Sequence, residues 1–320
     1  MVRQAPIFVV AVDFSPEMEA TVAAAVALAR QCGAKVDLLE VVPSRRPSLL
    51  DSEARLGRTH RPRDWSRLED SIRAAERARI HVRTVAYQGD AIRIIPSYVQ
   101  RVRARLIAIG QHYGTSRWRR NTRIVSTLSR TAPVPVLVLP PQRWSMTNKS
   151  LSFAHIVSAV DFTVASAVAV RTVLDLFRRT RTRLTLVHTL KNMPEHMVFS
   201  GGEALAVARK LKGQAAQLAE HFRRKIPANA NVRVEARVTT GDPYRGILEI
   251  ASEVNADLIV MGVPPRSRID EVLFGSTLRR VLRRANIPVL VLPVAAGAYE
   301  WLDKTNGLMA GQRSRTRGGR

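Results

Sequence analysis

Three short runs in the second half of the chain carry residue types suited to holding an anionic ligand. Asp161 closes one aliphatic run, Met261-Gly262 closes another, and Gly275-Ser276-Thr277 opens a helix-like stretch before a third. A helix N-terminus presents unpaired N–H groups and a partial positive charge. Gly275 lets backbone come close to a phosphate there, and the Ser276 and Thr277 hydroxyls add donors. A carboxylate such as Asp161 accepts hydrogen bonds from a base or a ribose. Each feature also has a purely architectural reading. Ser276 or Thr277 could cap a helix, Gly275 could serve a turn, and Asp161 could cap the helix that starts near Ala165. Other constellations are weak. There is no G-x-x-x-x-G-K-[ST] run and no G-x-G-x-x-G opening a helix. The histidines show no metal-ligand spacing, and His188 sits in a strand pattern, where packing or hydrogen bonding is the expected role. Cys32 is the only cysteine, which excludes an intrachain disulfide and a cysteine-based zinc site.

These runs need a frame, and the chain supplies it twice. Phe8-Val9-Val10-Ala11-Val12-Asp13-Phe14-Ser15 matches Ile156-Val157-Ser158-Ala159-Val160-Asp161-Phe162-Thr163. Val134-Pro135-Val136-Leu137-Val138-Leu139-Pro140 matches Ile287-Pro288-Val289-Leu290-Val291-Leu292-Pro293. Similarity at both ends of so long a unit signals a duplicated domain. In the first copy, strands are expected at Ile7–Val12, Val36–Val42, His81–Tyr87, Leu106–Ile109 and Val136–Leu139. In the second they are expected at Ile156–Val160, Leu184–Thr189, Val232–Val238, Leu258–Met261 and Val289–Leu292. Several are continuous aliphatic runs, the pattern of strands buried on both faces. Helix-like stretches such as Glu17–Arg30, Ala165–Arg178, Ala204–Arg224 and Tyr244–Glu253 alternate with them. The fold class is therefore α/β: two tandem doubly wound, five-stranded parallel-sheet domains, Rossmann-like in plan. The expected boundaries are residues 1–143, 151–296 and a basic tail over 297–320. In such sheets ligands bind beyond the carboxyl ends of the strands, where strand order reverses.

The net charge of +25 rests on 51 basic and 26 acidic residues, and only seven of the basic residues are lysine. Read along the chain, arginine falls in nearly every segment, which suggests an even spread over solvated helix faces. The sharper reading is attraction to a polyanion, with the run Gly114–Asn121 and its Trp118 as the local candidate for nucleic-acid contact. No apolar run approaches the roughly 20 residues of a membrane span. A cytoplasmic location is the default expectation.

Taken together, Ala159-Val160-Asp161-Phe162-Thr163, Thr240-Gly241-Asp242-Pro243 with Ile247–Ala251, Asp257–Gly262, and Gly275-Ser276 leading to Ile287–Leu292 resemble the universal stress protein family in order and spacing. The resemblance covers nearly all of both copies. Members of that family that bind ATP carry G-x2-G-x9-G-[ST]. Here Gly262, Gly275 and Ser276 stand in register, while Pro265 replaces the second glycine and removes an N–H. The resemblance implies that Asp161, Val187, Met261 and Gly262 line the adenosine side, with Pro265 in the loop between. Gly275, Ser276 and Thr277 would hold phosphates. ATP, with magnesium accompanying it, is the implied ligand, and sensing or regulation the implied role, with no efficient catalysis. The first copy keeps Asp13 and Gly110 but has about Thr122-Arg123 at the Gly-Ser position, so its site reads as degenerate. Family members pair through their last strands. Here Val136–Leu139 and Val289–Leu292 could pair within one chain, as a pseudo-dimer, or between chains. Two rival functions stand beside nucleotide binding: a nucleotide-free interaction scaffold, and an arginine-mediated nucleic-acid binder.

Overall fold

The computed structural model describes residues 5–15, 18–43, 68–111, 118–140, 152–177, 180–190, 231–264 and 274–294, with scattered residues between 209 and 224. Ten strands appear: β1 (Ile7–Val12), β2 (Lys35–Val42), β3 (Val82–Gln88), β4 (Leu106–Gly110), β5 (Val136–Leu139), β6 (His155–Ala159), β7 (Thr182–Leu190), β8 (Val232–Thr240), β9 (Leu258–Val263) and β10 (Val289–Pro293). All ten lie where the aliphatic runs placed them, with ends shifted by a residue or two. Seven helices are named: α1 (Met18–Cys32), α2 (Glu69–Arg77), α3 (Ala91–Arg101), α4 (Trp118–Thr131), α5 (Val164–Leu176), α6 (Pro243–Glu253) and α7 (Phe274–Arg284). The expected helix over Ala204–Arg224, the connections after β2 and β7, the inter-copy linker and the tail lie wholly or mostly outside the described residues.

The strands form one sheet in the order β3-β2-β1-β4-β5-β10-β9-β6-β7-β8. Within each half all neighbours are parallel. The two halves join where β5 meets β10 antiparallel, with Leu137 opposite Leu290. The last strands therefore do pair within the chain, which removes two apolar edges from solvent. Two further contacts cross the seam. The Cys32 thiol donates to the Leu176 carbonyl at 3.6 Å, and Phe153 N–H donates to Gln31 Oε1 at 3.4 Å.

Strands buried on both faces need a helical layer on each. One apolar layer gathers side chains of α1, α2 and α5. The other gathers those of α3, α4, α6 and α7. β4 is buried at every position, as is β5, which fits their unbroken aliphatic sequences. One polar cluster inside the sheet is well paired. In the N-terminal half, buried Asp37 on β2 accepts from Arg83 Nε at 3.1 Å and from the Tyr98 hydroxyl at 2.7 Å. Burial, followed by Asp37, pushes the Tyr98 phenol above its ordinary pKa. None of this trio was singled out from sequence, because its members are far apart in the chain.

Candidate functional site

The switch point of the C-terminal half lies between β6 and β9. After β6 the chain enters α5 on one face, and after β9 it reaches α7 on the other. The two helix N-termini thus flank one crevice beyond the carboxyl ends of these strands. Asp161 follows β6, and Met261 and Gly262 lie on β9. Gly275, Ser276 and Thr277 occupy the first turn of α7, with Ser276 and Thr277 half-buried. Pro265 lies outside the described residues.

Asp161 is part of a closed hydrogen-bonded ring. Its Oδ1 accepts from the Thr163 N–H at 3.1 Å and from the Thr163 hydroxyl at 2.6 Å. Thr163 Oγ1 in turn accepts from the Ser166 N–H at 3.3 Å. The Ser166 hydroxyl donates to the Thr163 carbonyl at 2.9 Å. Thr163, not Asp161, is therefore the N-cap of α5, and Asp161 braces the cap. That corrects the capping alternative for Asp161 and fixes where its carboxylate sits.

Between them Phe162 has φ 61°, a left-handed value that a bulky residue rarely adopts. Its ring is half-exposed, the single large apolar side chain so exposed among the described residues. It meets the His188 ring edge-on at 4.7 Å between centroids. His188 Nδ1 donates to the Val160 carbonyl at 2.7 Å, since a carbonyl only accepts. The hydrogen-bonded strand histidine expected from sequence is what the structure contains. Phe162 is the residue that sequence reading passed over. Its signal was a repeated Asp-Phe dipeptide, and Phe14 in the first half shares the left-handed backbone at φ 54°.

Gly262 is a glycine for a definite reason. A Cβ there would lie 2.1 Å from the Ala165 carbonyl oxygen and 2.9 Å from the Ser166 nitrogen. The first turn of α5 packs directly on β9, and no other residue fits. Val187 and Met261 have side chains 2% and 7% exposed, inside the layer that carries α6 and α7. The Val187 carbonyl accepts from Val160 N–H at 2.8 Å. Both residues lie in the buried layer on the α6/α7 side of the sheet, while Asp161 and Phe162 follow β6 and the α7 turn opens its helix.

In the N-terminal half, the corresponding crevice lies between β1 and β4. There Asn121, buried in α4, donates Nδ2–H to the Gly110 carbonyl at 3.0 Å. A side chain thus crosses from the helix to the end of β4. Thr122 and Arg123 lie within α4. Most of the arginine loop before it, residues 112–117, is outside the described residues.

Among the described residues no group of three or more His, Cys, Asp or Glu side chains could hold a metal ion. Nor is any helix there long and apolar enough to cross a membrane.

Comparison with known proteins adds the following. The sequence model of the universal stress protein family matches twice, over residues 6–140 and 152–293. A universal stress protein of Methanocaldococcus jannaschii is 35% identical over 69 residues, which cover 22% of this chain and 41% of that protein. The stress response protein NhaX of Bacillus subtilis is 23% identical over 160 residues, covering 43% of this chain and 96% of NhaX. The chain spans about half or less of the first curated relatives it matches, at 41% and 51% of their lengths. Among solved structures, a universal stress protein from Archaeoglobus fulgidus aligns over 91% of this chain and 97% of its own, with a TM-score of 0.62 at 17% identity. That likeness is one of fold.

Proposed function

The chain belongs to the universal stress protein family, and we propose that its C-terminal half binds an adenine nucleotide, ATP foremost, as a sensor or regulator. One observation carries the reading. Two helix N-termini on opposite faces converge on the β6/β9 crevice, and the rim between them holds Asp161, Phe162, Ser276 and Thr277.

The residues fit the ligand in kind. Asp161, held in place by Thr163, offers a carboxylate to ribose hydroxyls or a base amino group. The exposed Phe162 ring, backed by His188, gives a base an apolar surface to lie against. The α7 turn offers N–H and hydroxyl donors to phosphates, with the helix dipole behind them. Gly262 serves the site indirectly, by letting α5 close onto β9 so that Asp161 and the α7 turn share one crevice. Magnesium would enter with the polyphosphate. The proposed role is binding, with no general base assigned, in a protein working in the cytoplasm.

The N-terminal half is proposed as the partner that completes the sheet and takes no nucleotide. The Asn121–Gly110 bond, which ties α4 to the end of β4 beside its crevice, supports this division of labour.

Calorimetry with ATP on the intact chain and on Gly275→Glu tests the reading. A carboxylate placed in the phosphate turn should weaken binding at least about tenfold, or about 1.4 kcal/mol. Equal affinities, or no heat from the unaltered protein, would remove the proposal.

A further inference from the structure

Among the described helices the arginines are not evenly spread. In each half the earlier helices cover one face and the later helices the other, so the described helices are sorted in space. Helices α1, α2 and α5 carry four basic residues against five acidic ones. Adding the described residues Arg209, Lys210, Glu220 and Arg224 of the β7–β8 connection makes seven against six. Helices α3, α4, α6 and α7 carry eleven arginines against two glutamates. A compositional bias of the whole chain would load both faces alike. Among these described residues alone, the balance is thus about +1 on one side and about +9 on the other.

The charge is densest at the centre. Helices α4 and α7 have four arginines each and no acidic residue: Arg119, Arg120, Arg123 and Arg130, then Arg279, Arg280, Arg283 and Arg284. Both pack on the layer that covers β5 and β10, the antiparallel seam. Because those strands run in opposite directions, the two helices do as well. Arg123, Arg130, Arg279, Arg280, Arg283 and Arg284 are exposed. The carboxylate of Asp242 lies 3.7 Å from Arg280, and Arg280 and Arg284 lie over the Tyr244 ring, their guanidinium carbons 5.1 and 4.9 Å from its centroid. The tyrosine orders two guanidinium groups without neutralising them.

We infer that the α4/α7 face is a docking surface for duplex nucleic acid, gripped through its phosphate backbone without sequence preference. Charge complementarity names a polyanion. Among the described side chains of this layer, the aromatics Tyr87, Tyr98 and Tyr244 are buried and offer no platform for unstacked bases, which favours a duplex over a single strand. No large apolar side chain described on this face is exposed to enter a lipid surface. Two antiparallel helices about a pseudo-two-fold axis also match the two-fold symmetry of a duplex backbone.

The test is fluorescence anisotropy of the full chain with a mixed-sequence DNA duplex of about 20 base pairs, titrated from about 50 to about 200 mM salt. With some five phosphates neutralised, log affinity should fall with log salt at a slope of about −4 or steeper. Arg279→Glu with Arg283→Glu should lower affinity at least about tenfold. The charge-matched control, Arg30→Glu with Arg77→Glu on the opposite face, should change it less than about twofold. The basic residues after 296 are common to all three proteins, so the contrast reads the face and not the terminus. Equal losses in both variants would overturn the inference. So would tighter binding to anionic phosphatidylglycerol vesicles, or to single-stranded DNA of the same length, than to the duplex.

Discussion

Both halves carry a glycine at or next to the end of their fourth strand, and from that point they diverge. In the C-terminal half Gly262 receives the backbone of α5 against it, 2.1 Å from where a Cβ would stand. The crevice beside it is bordered by the Gly275-Ser276-Thr277 turn. In the N-terminal half the Gly110 carbonyl is taken by Asn121 from α4. In the register set by Val136 and Val289, Asn121 corresponds to Phe274, and Thr122-Arg123 to Gly275-Ser276. The strands that build the shared sheet kept their aliphatic character in both copies, because each contributes one side of the β5–β10 seam. The switch point was under no such constraint. On the function proposed above, only one copy needs its crevice open, and the other can use the end of its fourth strand for a side-chain hydrogen bond.

A second pair of positions shows the same division. Each half turns into its third-strand helix through Gly-Asp, with left-handed glycines at φ 147° (Gly89) and 91° (Gly241). Asp90 then caps α3, accepting from Ile92 N–H at 3.1 Å. Asp242 makes no side-chain cap to α6 and lies 3.7 Å from Arg280 on α7. The position matching Arg280 in the first half is Thr127, which has no charge to draw the carboxylate away.

The contrast breaks most sharply at Gly262. Gly262→Val pushes side-chain atoms into the Ala165 backbone, which cannot swing aside as a side chain could. The expected loss is about 3 kcal/mol or more of unfolding free energy, read from urea melts. A loss under about 1 kcal/mol would mean that α5 can move away, and the glycine would need another explanation. The paired aspartates give a smaller effect. Asp90→Ala should cost about 1 kcal/mol through the lost cap, and Asp242→Ala only a few tenths, since its ion pair is half-exposed. Equal costs would erase the distinction between the two turns.

The ten strands, the duplication and the seam were legible because each rests on local sequence. An aliphatic run with no polar alternation has to be buried on both faces wherever it lies, and two matching runs such as Val136–Leu139 and Val289–Leu292 announce two matching edges. What stayed hidden depends on which elements meet. Asn121 reads as an ordinary helix residue until β4 is placed beside α4. Asp37, Arg83 and Tyr98 come from three different elements. The eight arginines of α4 and α7 look like part of a uniform spread along the chain, and only the β5–β10 seam brings these two helices onto one layer. Phe162 lay in plain view within a repeated motif, but an apolar residue after a strand gives no hint that its backbone turns left-handed and leaves the ring at the surface.

The smallest expected effect concerns the buried imidazole at the start of β6. His155 occupies the place that Ile7 holds in β1, and its Nε2 lies 3.0 Å from the Thr185 hydroxyl. Burial lowers its pKa below the ordinary histidine value of 6.5, and nearby Arg183 lowers it further. The folded protein therefore holds this proton less tightly than the unfolded chain does. Near and below pH 6.5 the unfolded state binds more protons, so stability rises with pH across that window and falls as the solution is acidified. His155→Ile copies the N-terminal half into the C-terminal one and removes the titrating group. Urea midpoints at pH 8 and pH 5.5, on either side of that value, should show the unaltered protein losing more stability on acidification than the variant. Parallel losses would show that the acid sensitivity of the chain does not reside in this half, and that the exchange of an isoleucine for a histidine changed the packing of the first strand without changing its response to protons.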